Sequence, residues 1–405
     1  MESKTEKQTI IEKKHLVPFV LVTSLFLLWG LANNMTDTLL AAFRNIMQMS
    51  DTETSLIQFA FYGSYFCFAL PSAIFIQKKS FKAGVLLGLV LYALGALLFL
   101  PAAMVESYLF YLVAIYIMAG GCSMLETTAN PYILSMGAPE TATRRLNIAQ
   151  SFNPMGSIMG ILMSKYFILQ DISLYSISGT YAGLGIVLLG IVVVMFFAHM
   201  PEGKDDTTGN TLLKTFRRLA RNGNYVWGVV AQFFYVGAQI GVWSFTIRIV
   251  MQELSISEAD ASTVYLVSIV GFCLSRFIYT YLMKWFAPAS LLLFGGIASA
   301  LCTIAVVTMA GAGWIMVMAL IGISFFMSLM FPTIYGIALG GITEGEHPED
   351  AKVGASGLIM AILGGALITP LQGTVSDSMG IHTSYIVPLV CFVVVAAYAL
   401  KVKKG

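Results

Sequence analysis

Charge is scarce in this sequence: only 11% of its 405 residues are Asp, Glu, Lys or Arg, against about 25% in soluble domains. The apolar share is 58% and the mean hydropathy is +0.81. This composition excludes an ordinary soluble enzyme and a disordered chain. The net charge of +2 offers no broad basic surface for a phosphate backbone, so we expect no nucleic-acid partner.

Cysteine and histidine are also few, with five and four residues. The cysteines lie inside apolar runs, whereas a disulfide framework would place them in loops outside a membrane. They show no metal-ligand spacing, and the histidines do not cluster. The sequence has no nucleotide-binding loop, nucleophile elbow or zinc signature. We therefore expect no enzyme activity, no cofactor and no resident metal.

Long apolar stretches make up most of the chain. A membrane-spanning helix needs roughly 20 apolar residues, and strands of a β-barrel would be short and alternating. The sequence therefore predicts an all-α membrane protein with twelve transmembrane helices. The stretches are 17–46, 54–77, 82–103, 107–138, 142–169, 176–199, 223–252, 259–284, 288–310, 313–341, 352–376 and 382–400.

Lys and Arg indicate the orientation. With the N-terminus placed in the cytoplasm, twenty of the 23 basic residues fall on the inner side. This bias predicts that both termini are cytoplasmic. The longest polar segment, 201–222, is predicted to be a cytoplasmic linker between two six-helix halves, 1–200 and 223–405. Gly and Pro interruptions recur in corresponding helices of the two halves, a pattern typical of transporters with a central binding site.

Two acidic residues lie well inside predicted spans: Asp37 in span one and Glu126 in span four. An ionisable group in mid-membrane costs about 2.5–3.5 kcal/mol on insertion scales, so it is a functional candidate by default. Asn33 and Asp37 are four residues apart, as are Glu126 and Asn130, so each pair shares a helix face. We interpret the two acids as proton or cation coupling sites, with structural carboxyl groups as the alternative.

Amide side chains form two stripes at helical spacing, and both include residues suited to a polyol. Amides donate to and accept from hydroxyl groups, and aromatic rings cover apolar C–H faces. Interhelical contact is the alternative use of such residues. Arg276 is expected to tie helices together near the inner end of span eight. The stripes are Asn147, Gln150 and Asn153 in span five, and Gln232, Tyr235, Gln239 and Trp243 in span seven.

Several of these segments resemble the fucose:proton symporter family of the major facilitator superfamily. The segments are LFLLWGLANNMTDTLL, LETTANPYI, RRLNIAQSFNPMGS, AQFFYVGAQIGVWSF and MFPTIYGIAL. The resemblance implies the major facilitator fold and proton-coupled sugar uptake. It places the family's essential acids on Asp37 and Glu126, and its paired asparagines on Asn33 and Asn34. It also places the family's amides on the two stripes, beside Tyr235 and Trp243.

The sequence thus predicts a multi-pass protein of the inner membrane that imports a monosaccharide with a proton and works as a monomer in the lipid bilayer. The expected sugar is a hexose or 6-deoxyhexose of the fucose, glucose, galactose or mannose class. Asn33, Asn34, Glu126 and Asn130 are predicted to bind it together with the residues of the two stripes. Sodium coupling through a site near Asp37 remains an alternative, since its carboxylate and neighbouring oxygens suit a hard cation. An exporter of drugs or other solutes and a sugar receptor without transport are further alternatives.

Overall fold

The computed structural model describes residues 10–48, 51–168, 173–200, 212–343 and 345–404, and this part of the chain contains eighteen α-helices and no β-strand. The helices are α1 Leu16–Met47, α2 Asp51–Lys78, α3 Phe81–Leu97, α4 Phe99–Val105, α5 Tyr108–Leu134, α6 Ala142–Gln150, α7 Asn153–Met163, α8 Leu174–Phe197, α9 Leu212–Arg221, α10 Gly223–Leu254, α11 Glu258–Leu282, α12 Pro288–Thr308, α13 Trp314–Met327, α14 Met330–Thr343, α15 Asp350–Met360, α16 Gly364–Met379, α17 Ile381–Ser384 and α18 Ile386–Lys404.

Within the described residues, each predicted apolar stretch is helical over most of its length. Eleven helical segments of the described residues are long and apolar enough to cross a membrane. The remaining predicted span, 142–169, is interrupted between α6 and α7 and ends in a π-helical turn, Ser164–Ile168. Serine side chains accept hydrogen bonds from backbone N–H groups at the first turns of α3, α5, α8 and α11, so the loop residues before these helices fix where they begin.

Two predicted spans of opposite halves are broken near their middle. Span five breaks at Ser151–Phe152, just before Pro154, and span ten breaks at Ser328–Leu329, just before Pro332. Proline has no backbone N–H and cannot bond the carbonyl four residues before it. The breaks therefore leave backbone carbonyls inside the bundle that need another donor.

One continuous apolar core runs through both halves. Helices α1 and α7 approach most closely where each carries a glycine. A Cβ atom on Gly30 would lie 1.9 Å from the carbonyl oxygen of Asn153, and one on Gly156 would lie 1.8 Å from that of Leu27. The two helices thus pack backbone against backbone, which only glycine permits at these positions.

Helix α9 lies in the predicted linker, whose residues 201–211 are outside the described part. Its Arg218 donates to both carboxylate oxygens of Asp350, each at 2.6 Å. These hydrogen bonds raise the pKa of Arg218, and Thr215 donates to the same carboxylate at 2.9 Å. The linker helix is thereby fastened to the start of α15 in the second half.

Candidate functional site

A cavity of about 120 Å³ lies between the two predicted halves. Helices α1, α2, α5, α6 and α7 of the first half line it, together with α10, α11, α14 and the short helix 361–363 of the second half. Its wall is formed by Asn34, Gln58, Phe61, Tyr62, Tyr65, Glu126, Gln150, Asn153, Ser157, Val236, Gln239, Ile240, Trp243, Arg276, Phe331 and Ile362.

Six of the residues predicted from sequence lie in this wall: Asn34, Glu126, Gln150, Asn153, Gln239 and Trp243. Backbone and side-chain acceptors orient three of them. Asn34 Nδ2 donates to the carbonyl of Gly30 at 3.2 Å, and Asn153 Nδ2 donates to that of Phe26 at 3.3 Å. Trp243 Nε1 donates to Ser324 Oγ at 3.2 Å. The wall therefore presents held amide groups and a fixed indole ring.

Four other predicted residues lie behind the wall and are fully buried: Asn130, Asn147, Gln232 and Tyr235. Gln150 Nε2 donates to Asn130 Oδ1 at 2.9 Å, so Asn130 supports a wall residue. Asn147 Nδ2 donates to the carbonyl of Thr143 and to Thr333 Oγ1, at 2.9 and 3.2 Å. The second contact joins the two halves instead of facing the cavity.

The side chains of Gln232 and Tyr235 differ in their surroundings. Neither amide atom of Gln232 has a hydrogen-bond partner among the described residues. Tyr235 lies beside the Arg276 guanidinium on α11. Both therefore belong to the interior of the second half.

Two predicted residues cannot be placed in the site. Asn33 and Asp37 belong to α1, but their side chains lie outside the described residues. Their predicted roles in binding and coupling remain predictions from sequence.

Sequence reasoning missed a stripe on α2. Gln58, Phe61, Tyr62 and Tyr65 line the cavity together, and their spacing of three, one and three residues places them on one helix face. That spacing is the signal that could have found them. The stripe contains no carboxylate or cation, so it does not stand out as a charged group inside a predicted span.

Glu126 is the one carboxylate among the described residues of the wall. Among side chains that the structure describes, none forms an ion pair or hydrogen bond with it. Leaving a charged carboxylate without a partner in a membrane interior is costly, and taking up a proton removes that cost. The arrangement thus allows Glu126 to alternate between a neutral and a charged form.

Arg276 is the one guanidinium of the described wall, and only 3% of its surface is exposed. Its Nε donates to the carbonyl of Ser328 at 2.7 Å, and its Nη1 donates to that of Gln150 at 2.9 Å. The guanidinium also lies over the Phe272 ring, 4.7 Å from the centroid. The sequence predicts that Arg276 joins helices, and the structure shows that it also faces the cavity.

Comparison with known proteins identifies the relatives of this chain. The profile of the Major Facilitator Superfamily matches residues 22–367. The L-fucose-proton symporter of Haemophilus influenzae is 42% identical, and the alignment covers 98% of both chains. The glucose/galactose transporter of Brucella abortus biovar 1 is 30% identical, covering 97% of this chain and 96% of that protein. A crystal structure of the transporter FucP in the outward conformation superposes with a TM-score of 0.86, at 33% identity, covering 96% of this chain and 99% of FucP.

Proposed function

Because this chain belongs to the fucose:proton symporter family of the major facilitator superfamily, we propose that it imports a hexose or 6-deoxyhexose together with a proton. Relatives of this chain are a fucose-proton symporter and a glucose/galactose transporter, and fucose is a 6-deoxyhexose. The proposal includes residence in the inner membrane, cytoplasmic termini and function as a monomer.

The observation that carries the proposal is the combination of groups around the central cavity. Amides of Asn34, Gln150, Asn153 and Gln239 come from both halves, and such groups both donate to and accept from sugar hydroxyls. Trp243 is one of several aromatic residues that offer flat faces to the apolar C–H side of a sugar ring. A drug-binding cavity would need fewer amides, so the wall supports a sugar over an apolar solute.

Proton coupling is assigned to Glu126 and Asp37. Glu126 faces the cavity without a described partner, so its protonation and the binding of sugar hydroxyls take place in the same space. Asp37 is assigned the role of proton carrier from its position in span one and from the family resemblance. Rocking of the halves about the cavity then exposes sugar and proton to each side in turn.

Uptake into proteoliposomes tests the proposal directly. Labelled fucose, glucose, galactose and mannose are offered under an inward proton gradient and, separately, under an inward sodium gradient at equal pH. We expect uphill accumulation with the proton gradient. Accumulation with the sodium gradient alone would show that sodium, and not the proton, is the coupled ion. No sugar movement under either gradient would contradict sugar transport and favour an exporter or a receptor.

Variants of the two acids test the coupling mechanism. Asp37→Asn and Glu126→Gln are expected to retain exchange of labelled sugar across the membrane but to lose uphill accumulation, because a fixed neutral side chain cannot release a proton. Glu140→Gln is the matched control, since Glu140 is exposed in the short helix Pro139–Thr141. Normal accumulation by either acid variant would remove that acid from the mechanism.

A further inference from the structure

Arg276 binds two backbone carbonyls that lack their usual helical donors because a proline stands four residues later in each case. In a continuous helix the carbonyl of Gln150 would accept from residue 154, and that of Ser328 would accept from residue 332. Both residues are prolines, so neither carbonyl has its usual donor. Arg276 supplies both missing donors, at 2.9 and 2.7 Å. One guanidinium thus completes two interrupted helices.

The two carbonyls belong to opposite halves of the molecule. Gln150 ends α6 of the first half, whereas Ser328 follows α13 and lies in the same half as Arg276. The bond to Ser328 fixes the guanidinium within its own half, and the bond to Gln150 reaches across the boundary. A charge-assisted bond from a planar guanidinium is both stronger and more directional than one between neutral groups.

Further contacts join the halves toward the end that carries the loop residues 78–82, 135–141 and 345–349. We term it the inner end because the sequence predicts it to be cytoplasmic. Asn147 Nδ2 donates to Thr333 Oγ1 at 3.2 Å, one turn of α6 away from Gln150. Lys352 lies over the Phe81 ring, 4.7 Å from its centroid. The halves are therefore closed against each other on this side of the cavity.

Arg276 also belongs to the cavity wall, where it meets the same space as Glu126 and Gln239. Its ring neighbour Phe272 packs against Trp243 at 5.0 Å between centroids. A ligand in the cavity therefore contacts the side chain that ties the halves together.

We propose that Arg276 is the positioning residue that couples occupation of the cavity to opening of the inner end. In the empty protein its bond to the Gln150 carbonyl holds α6 against the second half. A sugar hydroxyl that accepts from the guanidinium competes with that carbonyl, weakens the contact and favours opening. The competition step rests on the proposed function, whereas the holding contact does not.

The holding contact is tested by the rate at which a buried thiol becomes accessible. Thr333 is fully buried between the halves, so Thr333→Cys reacts with a membrane-impermeant maleimide only when the inner end opens. Cys67, which is exposed, is replaced by serine in every variant. Labelling is measured in inverted vesicles without sugar, so the result does not depend on which substrate is transported.

Arg276→Gln is expected to raise the labelling rate by about tenfold, because it removes a charge-assisted hydrogen bond across the boundary. Arg276→Lys should also label faster than the parent, since an ammonium group cannot reach both carbonyls in the geometry of a guanidinium. Arg248→Gln is the matched control: Arg248 is exposed and lies over the Phe245 ring at 5.1 Å. Parental rates in both Arg276 variants would overturn the proposal.

A second variant leaves Arg276 in place, so it remains informative if loss of the arginine prevents folding. Pro154→Ala restores an N–H that competes for the Gln150 carbonyl, and it should raise the labelling rate. An unchanged rate would contradict the holding contact.

Addition of the transported sugar should accelerate labelling in the parent but not in Arg276→Lys. If sugar does not accelerate labelling in the parent while the other variants behave as expected, the substrate competition is wrong and the holding contact stands.

Discussion

The close contact between α1 and α7 provides the sharpest test of the packing that shapes the site. Gly156→Ala would place a methyl group 1.8 Å from the carbonyl oxygen of Leu27, and Gly30→Ala would place one 1.9 Å from that of Asn153. A carbon atom needs about 3.5 Å from such a neighbour. Because both neighbours are backbone atoms, no rotamer change relieves the clash, and the helices must separate locally by about 1.7 Å.

Two opposing terms set the size of the effect. Overpacking of a tight core costs about 1–3 kcal/mol and occasionally more. Replacing glycine by alanine within a helix stabilises the helix by about 1 kcal/mol. Because the clash is with backbone atoms, the cost lies near the upper end of this range, and we expect a net loss of stability of about 2 kcal/mol. The functional loss should be larger, because Asn153 lies in the cavity wall beside the displaced contact.

The assay compares thermal unfolding in detergent with sugar uptake in proteoliposomes. Gly183→Ala in α8 is the matched control, since a Cβ atom there would have no neighbour within 4 Å. This control should unfold at the same temperature as the parent or slightly higher, with normal uptake. If Gly156→Ala behaves like Gly183→Ala in both measurements, the backbone contact between α1 and α7 does not shape the site.

Three further substitutions test other contacts. Asp350→Asn should release the linker helix that Arg218 fastens, and limited digestion with trypsin should then cut α9 several-fold faster. Arg145→Gln should lower the thermal unfolding temperature strongly, because this fully buried guanidinium donates to carbonyls at the end of α5 and each uncapped buried acceptor costs about 1–3 kcal/mol. Trp243→Phe, which loses the bond to Ser324 Oγ, should weaken sugar binding by about tenfold in an equilibrium titration.

The fold could be predicted because apolar length is a local property. Among the described residues, all twelve predicted stretches are helical over most of their length. The family assignment is confirmed by the superfamily profile and by relatives that align over nearly the whole chain. The count of twelve crossings, the cytoplasmic termini and the division at 201–222 remain predictions. They depend on where the membrane lies, and helix geometry alone does not fix that.

The site was only partly predictable, because helical spacing defines a face but not what that face meets. Asn147, Gln150 and Asn153 follow one another at intervals of three, and the sequence suggested a single polar surface. The break at Ser151–Phe152 divides them between α6 and α7. Gln150 and Asn153 reach the cavity, whereas Asn147 lies between α6 and α14.

The relation among Arg276, Pro154 and Pro332 shows where prediction from one sequence stops. Each proline is visible locally as a helix interruption, and the arginine is visible as a cation inside a predicted span. The sequence does not show which helices these residues join: Arg276 of span eight bonds to carbonyls in span five and span ten. The freed carbonyls require a donor wherever the fold can supply one. The hydrogen bond from the buried guanidinium of Arg276 to the other half can therefore be recognised only when the packing of the helices is known.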